Sequence, residues 1–363
     1  MIAQTNTSRD WVARARSTAA RRLFLDRHAE FWLGQLHGTW SLGEIRARVV
    51  EVVTEARDVK TFRLRPNRLW TGHRPGQYTA IAVDIDGVRV RRCYSISSAP
   101  DDRLIAITVK RVSGGRVSSW LHDHVRPGHL VRLDPAAGEF VLPEARPAGL
   151  LMLSGGSGIT PVMSMLRALD AGDAVGDVTF VHYAHDPDDV IFGAELQAIA
   201  GRHLGLRLLL CPGRFDEARL ARMVPDFAAR RTFLCGPAGL MRRVESMWAA
   251  AGAAPRLQLE RFTAAGDPPQ TAGDDREARA VELRLARTGR TIAATTAGTL
   301  LEQLERAGER PPHGCRMGIC HTCRCRKRSG TVRNRLTGRV SSEQDEEIQI
   351  CISEPRSDVD LQL

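Results

Sequence analysis

The sequence predicts a multidomain α/β and β protein: a helical N-terminal extension, an antiparallel β-barrel, a parallel-sheet α/β domain and a cysteine-bearing C-terminal domain. Three observations predict it. Five short β-branched runs between Ile45 and Val112 are broken by Pro-Gly and Asp-Gly turns. After Pro147, apolar strands alternate with helical stretches. Near the end, Cys315, Cys320 and Cys323 stand in a C-x4-C-x2-C run, with Cys351 further on.

Residues 1–42 form the predicted extension. Trp11, Val12, Ala15, Ala19, Leu23, Phe24, Phe31, Trp32 and Leu36 fall near helical spacing with arginines between them. Such a basic amphipathic stripe packs on its own protein, docks a partner or lies on a membrane surface. The barrel is predicted over 43–146, from the runs IRARVVEVV, VKTFRLRP, QYTAIAVDI, VRVRRCYSIS and LIAITVKRV. The parallel-sheet domain is predicted over 147–263, where the strands GLLMLS, VTFVHYA, LRLLLC and RTFLCG are each followed by a helix. Residues 264–278, AAGDPPQTAGDDREA, have no apolar period and read as a linker, leaving 279–363 for the cysteine-bearing domain.

Composition narrows the function classes. No apolar run approaches the ~20 residues of a membrane helix, and the N-terminus has no signal-peptide pattern, so cytoplasmic residence is expected. The net charge of +10 comes almost entirely from arginine spread along the 363 residues. No nucleic-acid motif accompanies it, so no nucleic-acid partner is expected. Eight cysteines are too few to be needed as a disulfide scaffold for a chain of this size.

The cysteine spacing is the plant-type 2Fe-2S pattern, three thiolates on one loop and a fourth from a later strand. Zinc and disulfides are the competing uses of closely spaced cysteines. Zinc sites favour two C-x2-C knuckles, and Cys351 has no nearby companion. Gly314 and Gly318 let the loop HGCRMGICHTC curl with its amides toward the sulfurs. Cys325 exceeds the four ligands a cluster needs and reads as a bystander.

Further sites are written in the barrel and the α/β domain. In RCYSISS, strand alternation puts Arg92, Tyr94 and Ile96 on one face. An arginine to grip phosphate, an aromatic to stack on a flat ring and Ser95 to bond a ring nitrogen suit a flavin, although an ordinary strand could carry the same residues. GGRVSSWL passes from a glycine turn into a helix, whose N-terminal amides suit a pyrophosphate or simply a capped helix. SGGSGITP follows a buried strand and opens a second helix, with Gly155, Gly156 and Gly158 able to admit a dinucleotide. The turn Cys235-Gly236-Pro237 would face the same crevice.

RCYSISS, GGRVSSWL, GGSGITP and CGPAGLM, in this order and followed by CRMGICHTC, resemble the ferredoxin-NADP reductase superfamily fused to a plant-type ferredoxin. The resemblance covers roughly residues 43 to 363 and implies a β-grasp fold for the last domain. It assigns Arg92, Tyr94 and Ser95 to the flavin, and Val117 and Ser118 to its pyrophosphate. Gly156, Gly158, Thr160, Cys235, Gly236 and Pro237 would hold NADPH or NADH. Tyr94, Ser95, Cys235 and Glu260 would stand near the chemistry, with Glu260 alternatively a surface acid. FAD is implied rather than FMN, since FMN-using relatives usually show a GRGGS-like stretch where this chain reads GGRVSS. Many relatives place an arginine after the Tyr-Ala pair for the 2′-phosphate of NADPH; here His185-Asp186 follow, which leaves the coenzyme open.

The segments FWLGQL, WSLGEIRARVVEVV and LRPNRLWTGHRPGQY are similar to reductases that serve membrane fatty acyl desaturases. That similarity implies a desaturase as acceptor and contact with a membrane through it. A hydroxylase or monooxygenase reductase shares every redox motif, and a non-catalytic redox sensor is the third class. The stretch Arg324, Arg326, Lys327, Arg328, Arg333, Arg335 either steers the cluster to an acidic partner or is a solvated hairpin.

Overall fold

The computed structural model describes residues 38–85, 87–143, 145, 147–262, 279–313, 318, 323–335 and 338–363. The first 37 residues of the predicted helical extension, the predicted linker, and Cys315 and Cys320 lie outside the described residues.

Six strands make the barrel: β1 (Ile45–Ala56), β2 (Val59–Pro66), β3 (Tyr78–Ile85), β4 (Val88–Ser95), β5 (Ile105–Lys110) and β6 (Leu130–Leu133). Their order is β4-β3-β6-β1-β2-β5, and every pairing is antiparallel. Alternation drives the core: Ile45, Ala47 and Val49 point inward from β1, where they meet Phe62, Leu64, Ile107 and Leu133. The sheet closes where Ile96, just past β4, bridges Ile107 and the Ser97 amide donates to the Ala106 carbonyl at 2.8 Å. A hydroxyl ladder reinforces this seam, with Ser97 Oγ 3.2 Å from Thr108 Oγ1 and Thr108 Oγ1 2.8 Å from Thr61 Oγ1. Helix α1 (Arg116–His124) lies between β5 and β6 and buries Val117, Ser118, Leu121 and His122.

The next unit is a parallel sheet of β7 (Leu150–Gly155), β8 (Val178–Ala184), β9 (Leu206–Pro212), β10 (Arg231–Cys235) and β11 (Leu257–Glu260). Its order is β11-β10-β7-β8-β9. Every residue of β7 and β8 is buried, as expected of central strands covered on both faces. Helices α2 (Ile159–Ala171) and α3 (Gly193–Arg202) pack on the face of Met152, Phe180 and Phe233. Helices α4 (Glu217–Met223) and α5 (Ala238–Ala250) pack on the opposite face, around Leu153, Val181, Leu234 and Trp248. Chain order reverses between β7 and β10, so the loops after these two strands flank a topological switch point, where such sheets bind ligands.

The barrel and this sheet share a joint. Phe140 packs edge-on against Phe233 with ring centroids 5.5 Å apart, and Gln258 Nε2 donates to the Glu139 carbonyl at 2.6 Å. Ser164 and Arg167 of α2 donate to the carbonyls of Ser98 (2.8 Å) and Ser97 (2.6 Å).

The last unit holds a mixed sheet in the order β13-β12-β19-β14-β17. Its strands are β12 (Ala280–Leu285), β13 (Thr291–Thr295), β14 (Arg324–Ser329), β17 (Glu346–Gln349) and β19 (Val359–Leu361). A smaller sheet of β15 (Val332–Asn334), β16 (Val340–Ser341) and β18 (Ser353–Pro355) lies beside it. Helix α6 (Leu300–Arg306) is started by a reciprocal capping box between Thr299 and Glu302 and sends Leu300, Leu301 and Leu304 into the core. A helix packed with a mixed sheet is the β-grasp arrangement that the sequence predicts.

Candidate active site and redox centres

Three strands of the parallel sheet end in register. Cys235 pairs with Ser154 on one side and with Glu260 on the other, so Ser154, Cys235 and Glu260 form a row at the carboxyl edge of the sheet. His182 extends the row on β8, with its Nδ1 2.9 Å from Ser154 Oγ. Cys235 is fully buried, and burial together with the charge of Glu260 pushes its thiol well above the ordinary range. Glu260 is half-buried, and burial raises its carboxyl to about 7. Burial lowers His182 to about 4, which leaves it neutral at physiological pH, with Nε2 buried and unpartnered.

The two glycine turns are built against each other. A Cβ on Gly158 would lie 2.3 Å from the Cys235 carbonyl oxygen, and one on Gly236 would lie 2.8 Å from Leu240 and 3.1 Å from the Gly155 amide. Gly156 has φ +54°, a conformation L side chains rarely adopt. The sequence reads Gly155, Gly156 and Gly158 as room for a dinucleotide; in the fold the space a Cβ would need at Gly158 and Gly236 is taken by the protein's own facing turn. Thr160 opens α2 with Oγ1 donating to the Ser157 carbonyl at 3.1 Å, and Pro237 is the N-cap of α5. His185 and Asp186 are exposed just past β8.

On the barrel, Ser95 is buried and its Oγ has no hydrogen-bond partner, a polar atom that a bound ring nitrogen would satisfy. Tyr94 is half-buried beside it, its phenol held in the neutral form by burial. Arg92 is half-buried, with Nη1 donating to the Arg91 carbonyl at 2.9 Å. Gly115 caps α1 without a side-chain hydrogen bond. The Ser118 hydroxyl is engaged locally, accepting from the Val112 amide (3.2 Å) and donating to the Gly115 carbonyl (3.4 Å). What Val117 and Ser118 offer a pyrophosphate is therefore their helix-end amides rather than a free hydroxyl.

In the C-terminal unit, the Cys323 and Cys351 sulfurs are buried and 3.1 Å apart, too far for a disulfide, so the third and fourth cysteines of the motif meet at one point of the core. Gly318 is tied to the segment around Cys351: Gln349 Nε2 donates to its carbonyl at 2.7 Å, and a Cβ on Gly318 would lie 2.5 Å from Ile352. Cys325 faces the same core and burial pushes its thiol up to about 11. Half of the basic stretch is committed inside the protein and half stays on the surface. Lys327 is fully buried and donates to the carbonyls of Gly330 and Glu343. Arg333 and Arg335 grip the buried Glu354, while Arg324 pairs with Glu347 and Arg326 with Asp345. Of the six, Arg328 alone makes no ion pair among the described residues. The exposed Arg324, Arg326 and Arg328 are the part of the stretch that faces solvent.

Family models agree with this layout. Residues 46–142 match an oxidoreductase FAD-binding domain, 152–246 an oxidoreductase NAD-binding domain and 283–356 a 2Fe-2S iron-sulfur cluster binding domain. An NADPH oxidoreductase of Mycobacterium tuberculosis is 39% identical over 333 residues, covering 89% of this chain and 86% of the relative. The glycine betaine monooxygenase reductase subunit of Chromohalobacter salexigens is 32% identical over 357 residues, covering 89% and 96%. Among solved structures, phthalate dioxygenase reductase superposes with a TM-score of 0.60 at 26% identity, covering 88% of this chain and 98% of that one. With flavin, nucleotide and cluster units in this order and relatives similar across nearly their whole length, the chain belongs to the ferredoxin-NADP reductase superfamily, in the branch with a C-terminal 2Fe-2S domain, and is an NAD(P)H-dependent oxidoreductase that uses FAD and a 2Fe-2S cluster.

Proposed function

We propose that the chain is the reductase component of an oxygenase system, delivering electrons from NAD(P)H to an oxygen-activating partner. The observation that carries the reading is the joint between the two redox units. The helix that begins at the nucleotide turn is hydrogen-bonded to the carbonyls that follow Tyr94 and Ser95. When bound, FAD supplies the conversion of a two-electron hydride donor into single electrons, and the cluster carries these one at a time.

The residues have definite parts in this reading, with the units divided at 43–146, 147–263 and 279–363. Gly156, Gly158, Thr160, Gly236 and Pro237 hold the coenzyme, and Cys235 lies at the crevice floor as an uncharged thiol. Arg92, Tyr94 and Ser95 orient the flavin ring and its phosphate, and the amides of Val117 and Ser118 receive the pyrophosphate. Ser95 Oγ, buried without a partner in the protein, would donate to a ring nitrogen of the flavin. Glu260, ionising at about 7, holds or releases a proton at the crevice edge. Cys315, Cys320, Cys323 and Cys351 ligate the cluster.

Relatives named for their acceptor serve a monooxygenase, an N-demethylase or, in the solved structure, a dioxygenase, and none of these is named for a desaturase, which favours an oxygenase over the desaturase implied by FWLGQL and WSLGEIRARVVEVV. The desaturase stays as the second reading because those segments are its own signal. No helix among the described residues is long and apolar enough to cross a membrane; the membrane contact of that reading is the one made through the partner.

Anaerobic titration of the cluster-replete protein with NADH and NADPH tests the core of the proposal. One coenzyme is expected to bleach the flavin and then give a reduced-cluster EPR signal. Failure of both would overturn it. Turnover with a purified monooxygenase or a membrane desaturase as acceptor then separates the two readings.

A further inference from the structure

Helix α2 does more than open at the glycine turn. Thr160, Ser164 and Arg167 are spaced at i, i+4 and i+7 along one face. Ser164, fully buried, reaches the Ser98 carbonyl at 2.8 Å, and Arg167 Nη1 reaches the Ser97 carbonyl at 2.6 Å. These carbonyls lie two and three residues past Ser95.

Arg167 is held from behind as well. Its Nε and Nη2 make a bidentate pair with Glu195 of α3 at 2.8 and 2.6 Å, and its guanidinium carbon sits 4.5 Å above the Phe192 ring. Phe192 adopts φ +61°, which is costly for an aromatic residue and marks a site held by its surroundings. Ser97 is equally fixed on the barrel side by the Ala106 carbonyl and the Thr108 hydroxyl. A continuous line of short polar contacts therefore runs from Glu195 through Arg167 into the seam beside the flavin strand. The rest of the joint, at Phe140–Phe233 and Glu139–Gln258, does not depend on it.

We propose that Arg167 is a positioning residue for hydride transfer: with Ser164 it sets the distance between the turn that holds the coenzyme and the strand that carries Tyr94 and Ser95. A guanidinium suits the task because its planar fork engages Glu195 with two donors and the carbonyl with a third. The inference concerns the step before any external acceptor, so it holds for a hydroxylase, a monooxygenase or a desaturase partner.

The test is anaerobic stopped-flow reduction of the full, cofactor-replete protein by the coenzyme that reduces wild type. In Arg167→Met the limiting rate of flavin reduction is expected to fall about 10- to 100-fold, the scale of an ångström of misplacement. FAD content and the half-saturating coenzyme concentration should stay within about threefold, since neither binding site is touched. Hydrogen exchange in the peptide spanning residues 94–99 should quicken, and Arg167→Lys should recover most of the rate. A wild-type limiting rate in Arg167→Met overturns the proposal. If Arg167→Met loses FAD or fails to fold, Ser164→Ala decides: a slowed limiting rate with FAD retained supports the proposal, and an unchanged rate overturns it.

Discussion

Glu260 offers a quantitative test of the crevice. Burial raises its carboxyl from 4.5 to about 7, and no cation offsets that effect. The difference corresponds to about 3 kcal/mol at 1.36 kcal/mol per pH unit, as an upper bound. The sign follows from the proton count. The folded protein holds this proton more tightly than the unfolded chain, so the stabilisation is fully present below pH 4.5. It is lost as pH rises toward 7, and stability is flat with respect to this group above that. Glu260→Gln mimics the protonated form and removes the dependence. The variant should match wild type near pH 4.5 and exceed it by up to about 3 kcal/mol at pH 8, read from paired denaturant midpoints. If Glu260 manages a proton during turnover, the variant should also lose an inflection near pH 7 in the rate of flavin reduction. Stability curves of wild type and variant that run parallel from pH 4.5 to 8 would refute the burial argument.

Other perturbations separate the units. Gly158→Ala places a methyl 2.3 Å from the Cys235 carbonyl and 2.6 Å from the Gly236 amide, forcing two backbone turns apart. Coenzyme affinity should fall about 10-fold or more, matching an overpacking cost of about 1–3 kcal/mol, with FAD content unchanged in a flavin-release assay. Lys327→Met strips a buried ammonium from two carbonyls and from Glu346 at 3.5 Å. The C-terminal unit should lose about 3 kcal/mol, seen as cluster bleaching at lower urea while flavin fluorescence is unmoved. Gln349→Leu cuts the tether to the Gly318 carbonyl, and cluster loss to a chelator should quicken about 10-fold.

The barrel and the parallel sheet were legible because their periods are strong. β1 alternates buried and half-buried residues over its first half, and β7 and β8 are apolar throughout. The glycine turns were legible because only glycine serves where φ is positive or a backbone passes at 2.3 Å. Helix ends were less sharp: SGGSGITP announces that a helix opens, and the glycine turn runs straight into one that spans Ile159–Ala171, with Thr160 and Pro161 already inside it. Three features lay beyond sequence reasoning. Arg167 looks like any surface arginine on an amphipathic helix until the barrel is placed against it. Ser154–His182 joins residues 28 apart, and no local spacing announces that contact. The condition of Glu260 depends on desolvation, which composition cannot reveal.

Charge shows the same limit from the other side. A chain of net charge +10 with six basic residues close behind a cluster loop invites a docking surface for an acidic partner. Folding divides those charges, turning Lys327, Arg333 and Arg335 inward and leaving Arg324, Arg326 and Arg328 exposed. Alternation along β14 turns Lys327 inward while Arg324 and Arg326 point out toward acids on the neighbouring strand and its turn. Strand pairing sets Arg333 opposite Glu354, and Arg335 and Arg356 reach the same carboxylate, so three guanidiniums surround one buried acid three residues after Cys351. A carboxylate in that position is costly unless fully paired, and the arginines are the pairing. Their first consequence is thus to hold the strand that follows the fourth ligand. What the stretch still offers an acidic acceptor is the exposed face of Arg324, Arg326 and Arg328, and a weaker salt dependence of electron delivery after their exchange for Gln is the result expected if that face docks the partner.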